Sequence, residues 1–320
     1  MEPKPTSGPT VVRPFAADGN LGPVSLKRSG QGRGRTLAIT AACLFGTNGV
    51  IAFWFAEGDG KPITMLAFRF LVGGIAFAAV AVAFHLKRPT RAIFFGSSLT
   101  GLGHVAFTAC LLYGFATASV ALIILLFYIY PLLVAIGASY LHKERLTRGR
   151  FALFVVGTAG VALAVGTPGN VSLAAVLLGL GAGLGNALVI LGNNALLDRG
   201  ADVLQIGAIS YLVPGAFFSL LIVVGVIPAP HTELAWSTVL FYGAIGTMLP
   251  FWLFYTAVTI IGAPVASLFA TLEPLVAVLL AWLLIGQPLI LGQIVGGALI
   301  LGTVVALSLQ QARDGKASEA

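Results

Sequence analysis

Charge is scarce in this chain: Asp, Glu, Lys and Arg make up 9% of its 320 residues, against 58% hydrophobic residues and a mean hydropathy of +0.98. A soluble domain carries about a quarter charged residues, so a water-exposed globule of this composition lacks the polar surface to cover itself. Lipid must solvate most of the chain. Cysteine is nearly missing too. Cys43 and Cys110 are the only two, with no CxxC metal spacing and no basis for a disulfide framework; both sit in apolar runs and read as small packing residues. Nucleotide and catalytic signatures are absent: no GxxxxGK[ST], HExxH, GxSxG or paired-aspartate motif occurs. No enzyme, cofactor or ATP-driven engine is therefore expected. Acidic residues fall short of basic ones, 11 against 18, for a formal charge of +7. That excess lies in one tail and in short loops, as membrane topology requires, so no nucleic-acid partner is expected either.

What is present is a succession of apolar stretches of about membrane-spanning length. They fall near 36–56, 62–85, 92–114, 118–141, 149–166, 172–197, 203–226, 235–257, 263–285 and 289–309. Their continuity excludes barrel strands, which alternate over ten-residue segments. The expectation is an all-α polytopic membrane protein with ten transmembrane helices. Residues 1–35 differ in kind: they are rich in Pro and Gly, carry Lys4, Arg13, Lys27, Arg28, Arg33 and Arg35, and read as a disordered basic cytoplasmic tail. A basic, acid-poor segment is also what a transit peptide offers, but no amphipathic helix is visible in it. No cleavable signal peptide precedes the first apolar stretch. Residues 310–320 form a second tail.

With the N-terminus inside, sixteen Lys and Arg residues collect on one side of the membrane, Lys61 stands alone on the other, and Arg69 lies within a span. The asymmetry predicts both termini in the cytoplasm of a multi-pass protein of the plasma or inner membrane. Trp54, Trp236 and Trp282 fall near the expected outer interface, as an aromatic belt does.

The two halves of the chain match at a constant shift of 143 residues. Tyr130-Pro131-Leu132 corresponds to Glu273-Pro274-Leu275, Glu144 to Gln287, Gly149 to Gly292 and Gly103 to Gly246. Each half, 36–168 and 169–309, then holds five helices. An odd number makes the second half enter the membrane from the opposite side, giving an inverted repeat, and two such halves can exchange conformations to open alternate faces. This favours a transporter over a structural protein.

The segments LLFYIYPLLVAIGASYLHKERLT (125–147) and LFATLEPLVAVLLAWLLIGQPL (268–289) resemble the paired repeats of the EamA-type drug/metabolite transporter superfamily, and the resemblance extends over about 36–309. It implies ten helices, an inverted repeat, and a central cavity between the halves lined mainly by helices 1, 3, 4, 6, 8 and 9. It further implies a small-molecule substrate, an amino acid, related metabolite or drug-like molecule, moved more often by export than by uptake. Many members end the fourth and ninth helices in a Gly-Glu or similar pair. Here Glu144 keeps that pattern and Gln287 departs from it, which removes a charge at the outer end of the ninth helix.

An ionisable group inside a span costs about 2.5–3.5 kcal/mol on insertion scales, so each one present asks for a reason. Glu273 lies mid-helix beside Pro274, whose missing N–H exposes the carbonyl near Ala270. Such a carboxylate can bind a substrate amine or carry a coupling proton; equally, it can hydrogen-bond within the bundle and steady a kink. Its repeat counterpart, Tyr130, keeps polarity without charge. Arg69 has a choice between a substrate carboxylate, Glu273, and snorkelling to the outer headgroups. His104 is a proton relay or a hydrogen-bonded interface residue. Asn48 and Asn186 are cavity candidates, or interhelical glue worth about 0.6 kcal/mol, in preference to Asn193 and Asn194 near the inner boundary. Trp252 is the mid-span tryptophan, suited to stacking on a substrate or to lipid packing. Pro131 and Pro274 are candidate hinges. The repeats Gly179-x3-Gly183, Gly181-x3-Gly185 and Gly292-x3-Gly296 suit close helix approach. Protons are the candidate coupling ion, the lipid bilayer is the surrounding partner, and the oligomeric state is open. The rival classes are a non-transporting scaffold or sensor, which needs no inverted repeat, and an intramembrane enzyme, for which one carboxylate and one histidine are a poor beginning.

Overall fold

A backbone in lipid has no water to bond, so each apolar run satisfies its amides internally, as helix. The computed structural model of the chain describes residues 30–58, 60–117, 120–142, 147–165, 172–286 and 288–317. Among these it is all-helical, without strands. The first half comprises α1 (Gln31–Gly46), α2 (Asn48–Glu57), α3 (Pro62–Ala83), α4 (Arg91–Thr117), α5 (Val120–Phe127), α6 (Tyr130–His142) and α7 (Arg148–Val165). The second comprises α8 (Leu173–Asp198), α9 (Val203–Val223), α10 (Glu233–Phe241), a π-helical segment (Tyr242–Met248), α11 (Leu249–Ile261), α12 (Ala263–Phe269), α13 (Leu272–Ile285) and α14 (Leu291–Ala317). By length and composition, seven helices among the described residues can cross a membrane: Gln31–Phe55, Pro62–Ala83, Arg91–Leu111, Leu173–Asp198, Val203–Val223, Glu233–Ile261 and Ala263–Ile285. Tyr130–Leu141 and Leu291–Leu307 are shorter apolar helices.

Local sequence accounts for the ends and the interruptions. Ser172 and Thr232 cap α8 and α10 by accepting the N–H of Ala175 and Ala235. Asp202 and Gln205 close a reciprocal capping box on α9. The turn between α5 and α6 at Tyr128–Ile129 precedes Pro131, and the turn between α12 and α13 at Ala270–Thr271 precedes Pro274. In both places proline withholds a donor and crowds the carbonyl four residues back, Phe127 or Ala270. The interruption between α1 and α2 has a different cause. The Thr47 hydroxyl donates to the Leu44 carbonyl at 2.6 Å, a side-chain bond that competes with the helical ladder.

Packing repeats the sequence symmetry. α3 lies against α9 and α7 against α14, each an element against its own counterpart 143 residues on, and α6 lies against α12, the counterpart of α5. The contact of α4 with α8 is matched by that of α11 with α1, and the contact of α6 with α8 by that of α13 with α1. Glycine permits the closest approaches: a Cβ on Gly101 would stand 2.5 Å from the Ser210 carbonyl oxygen, and one on Gly183 2.9 Å from that of Phe127. Ser210 also donates to the Ser97 carbonyl at 2.9 Å, joining α9 to α4. The antiparallel pair α3 and α9 is bonded at both ends. The Thr64 hydroxyl donates to the Pro228 carbonyl at 2.8 Å, and the Gln205 amide to the Lys87 carbonyl at 2.6 Å.

Three expectations change. Helix α1 begins at Gln31, so residues 31–35 are helical rather than part of a disordered tail; residues 1–29 lie outside the described residues, as do Glu144 and Gln287. The C-terminal tail is helical as far as Ala317, because α14 continues through it. Cys110 packs near Gly181, but Cys43 is exposed on the outside of the bundle and fills no interior space.

Candidate functional site

The interrupted helices meet around a cavity of about 570 Å³, within the range of about 300–1,000 Å³ that holds small ligands. Both halves line it. The first half supplies Phe45, Asn48, Arg69, His104, Phe107, Phe127, Tyr128 and Tyr130; the second supplies Asn186, Tyr211, Phe251, Tyr255, Glu273, Pro274 and Gln293. The predicted site residues Asn48, Arg69, His104, Tyr130, Asn186, Glu273 and Pro274 are thus brought to one space. Trp252 and Pro131 are not part of its lining. Trp252 is half-buried and packs against the apolar core, and Pro131 is buried in the first turn of α6. Arg69, Tyr211 and Gln293 add α3, α9 and α14 to the lining helices that the family resemblance implied.

The breaks in the helices deliver Glu273, Tyr128 and Asn48, while Arg69, His104, Asn186 and Tyr211 come from the continuous helices α3, α4, α8 and α9. The turn at Ala270–Thr271 starts α13 afresh, so Glu273 falls in a first turn, with its N–H on the Ala270 carbonyl at 3.0 Å. The corresponding turn at Tyr128–Ile129 presents Tyr128, whose hydroxyl is directed at the Glu273 carboxyl group, with the Tyr130 ring 5.8 Å from that of Tyr128. Asn48 opens α2 directly after the interruption at Thr47, and its Oδ1 is buried with no hydrogen-bond partner.

Arg69 does not snorkel to the outer boundary. It turns inward: its Cζ lies 5.7 Å from the centroid of the Tyr242 ring, the Tyr211 hydroxyl is directed at its guanidinium, and Nε has no partner. His104 is 6% exposed, and its ring is enclosed by Phe107, Tyr211 and Phe251 at centroid distances of 4.9, 5.4 and 6.1 Å. Its Nδ1 also has no partner, so it is not held by a hydrogen bond there as an interface histidine would be. Asn193 is fully buried outside the lining, facing Tyr255. Asn194 donates to Asp198 at 3.3 Å on the same helix.

The cavity wall therefore combines two polar clusters with aromatic rings. One cluster is Arg69, His104, Tyr211 and Asn48; the other is Glu273, Tyr128 and Tyr130, and the charges of Arg69 and Glu273 act on each other. The rings beside them include Phe107 with Phe127, at 6.2 Å, and Phe251 with Tyr255, at 4.4 Å. Tyr128, Tyr211 and Tyr255 escaped the sequence reading, since an aromatic residue in an apolar run looks like core. For Tyr128 the signal was its place in the break ahead of Pro131. Among the described residues, no group of three or more His, Cys, Asp or Glu side chains is arranged to hold a metal ion.

Comparisons with known proteins agree with this architecture. The model of the EamA-like transporter family matches twice, at residues 32–166 and 173–309, so that each match covers one half of the bundle. The uncharacterized transporter YetK of Bacillus subtilis (strain 168) is 27% identical over 220 residues, covering 65% of this chain and 64% of its own length. The match thus spans a little less than two thirds of that relative. A solved crystal structure at 17% identity superposes with a TM-score of 0.75, over 87% of this chain and 99% of that one, and shares the fold.

Proposed function

Since the chain belongs to the EamA-like transporter family, we propose that it is a secondary carrier exporting a small metabolite, an amino acid or related compound, by alternating access. The carrying observation is the cavity itself. It is enclosed by both halves of the bundle and lined by Arg69 and Glu273, ionisable groups that a purely structural membrane protein has little reason to keep at that depth. Counting α5 with α6, α7 and α14 as crossings beside the seven long apolar helices gives ten. Five to each half makes the repeat inverted, and the positive charge of the inner loops puts both termini in the cytoplasm.

In this reading the Glu273 carboxylate, reached by the Tyr128 hydroxyl, exchanges a proton or holds a cationic group of the substrate as the cavity turns from one face to the other. Pro131 and Pro274 keep the breaks in α5–α6 and α12–α13, and those breaks let the two ends of each helix tilt independently. With no ATP-binding motif in the chain, the driving force is a proton gradient or the substrate's own concentration difference. The membrane is the plasma or inner membrane.

Mass-spectrometric profiling of the medium from overexpressing cells tests this, with Glu273→Gln as the control. A metabolite that accumulates outside only with the wild type supports export and the carboxylate's role. Equal accumulation with both keeps the exporter and removes Glu273 from the mechanism. No accumulation with the protein present in the membrane overturns export.

A further inference from the structure

We propose that the Arg69 cluster in the cavity wall is a carboxylate-binding subsite, so that the transported molecule carries a carboxylate; this rests on the carrier reading above. Four side chains from four helices converge there: Asn48 on α2, Arg69 on α3, His104 on α4 and Tyr211 on α9. Three of them hold a buried polar atom without a partner, namely Asn48 Oδ1, Arg69 Nε and His104 Nδ1. One orphaned group in a bundle is unremarkable, but three lining the same space form a set. Leaving a buried donor or acceptor unmade costs about 1–3 kcal/mol, and more for a charged one, so the set stands at an expense that a ligand relieves.

The chemistry of the set selects the ligand. A guanidinium offers a planar fork of donors matched to a carboxylate. The Tyr211 hydroxyl is a further donor, the imidazole offers N–H from whichever nitrogen carries the proton, and the amide of Asn48 presents N–H once turned over. Every member can donate to an anion. A metal cation is excluded from the same place by the charge of Arg69. Glu273 is the single carboxylate among the described lining residues; Arg69 feels its charge, but the side-chain partner directed at it is the Tyr128 hydroxyl, and the Arg69 guanidinium has the Tyr211 hydroxyl instead. The rings of Phe107, Phe127, Phe251 and Tyr255 take the apolar body of the ligand.

The test is a thermal-shift titration of the purified full-length protein in detergent. The matched probes are 3-phenylpropionate, 3-phenylpropionamide and 3-phenylpropylamine, with inorganic phosphate as a separate arm. The phenyl group suits the ring-lined wall, and only the first probe carries a carboxylate. The wild type is expected to bind 3-phenylpropionate roughly thirtyfold more tightly than the amide or the amine, as for a buried charge pair with one partner removed. Arg69→Gln removes that preference. Tyr211→Phe reduces it by about threefold and serves if the arginine variant does not fold. Arg69→Gln/Glu273→Gln distinguishes a subsite from a simple counter-charge, since a counter-charge no longer needed restores wild-type binding. Such restoration, equal binding of acid and amide, phosphate outcompeting the carboxylate, or no shift by the carboxylate each overturns the proposal. Because binding is read without transport, these outcomes are separate from failure of the export reading, which the secretion profile reports.

Discussion

Two helix pairs related by the repeat are built differently. α4 and α8 run side by side without interruption, whereas the matching pair, α1–α2 against α10, the π segment and α11, is irregular on both sides. Thr47 breaks one member and Tyr242–Met248 widens the other into π-helix. The facing positions differ accordingly. A Cβ on Gly103 of α4 would meet the apolar Val189, while one on Gly246 of the π segment would come within 3.3 Å of the unpartnered Asn48 Oδ1. Symmetry thus survives in which helices touch but not in how regular they are. Packing energy depends on the first. Part of the polar lining, Asn48 among it, depends on the second, because an interrupted ladder frees groups that a continuous helix keeps to itself.

The comparison yields experiments of decreasing effect. The largest belongs to the regular pair. Gly185→Leu drives a side chain into Phe107, whose Cβ stands 2.8 Å from the ideal Cβ position; the expected cost is about 2–3 kcal/mol, seen as loss of monodisperse protein and a lower Tm. In the irregular pair Asn48→Leu installs the residue that the repeat places in α8, Leu191. It is expected to lower transport on the order of tenfold while stability holds or rises by about 1 kcal/mol, since a buried unpaired acceptor is removed. Hydrogen exchange by mass spectrometry then compares Tyr242–Met248 with the matching stretch of α4. About tenfold faster exchange in the π segment is expected, and equal protection removes the distinction between the pairs. Trp252→Phe should change transport by less than about twofold, because a residue outside the lining acts only through packing. A tenfold loss in the same flux assay would bring Trp252 back into the site.

The sequence made some of this visible for definite reasons. Proline leaves a mark, so the breaks ahead of Pro131 and Pro274 could be expected. Thr47 carries no such mark, since threonine is common inside apolar helices and only the geometry shows its hydroxyl on the Leu44 carbonyl. The π segment is equally silent, because YGAIGTM has the composition of any close-packed span. Charge in an apolar run marked Arg69 and Glu273 as exceptional, but not which way each pointed: snorkelling was open to Arg69 until the rings of Tyr242 and Tyr211 were seen around it. Asn186 and Asn193 stand seven positions apart on α8; depth along the span favoured Asn186 for the cavity, and the packing puts Asn186 in the lining and leaves Asn193 buried outside it.

The bonds at the two ends of α3 and α9 have a mechanical meaning. Fastened by Thr64 to Pro228 at one end and by Gln205 to Lys87 at the other, these helices behave as an axle carried in two bearings. The halves of the bundle cannot draw apart along that seam without breaking a bond, so the alternating access proposed above would take the form of a swivel about it. A swivel narrows the space on one side of the axle by as much as it widens the other. In such a body one opening is the geometric cost of the other, and a leak through both at once needs the axle itself to fail.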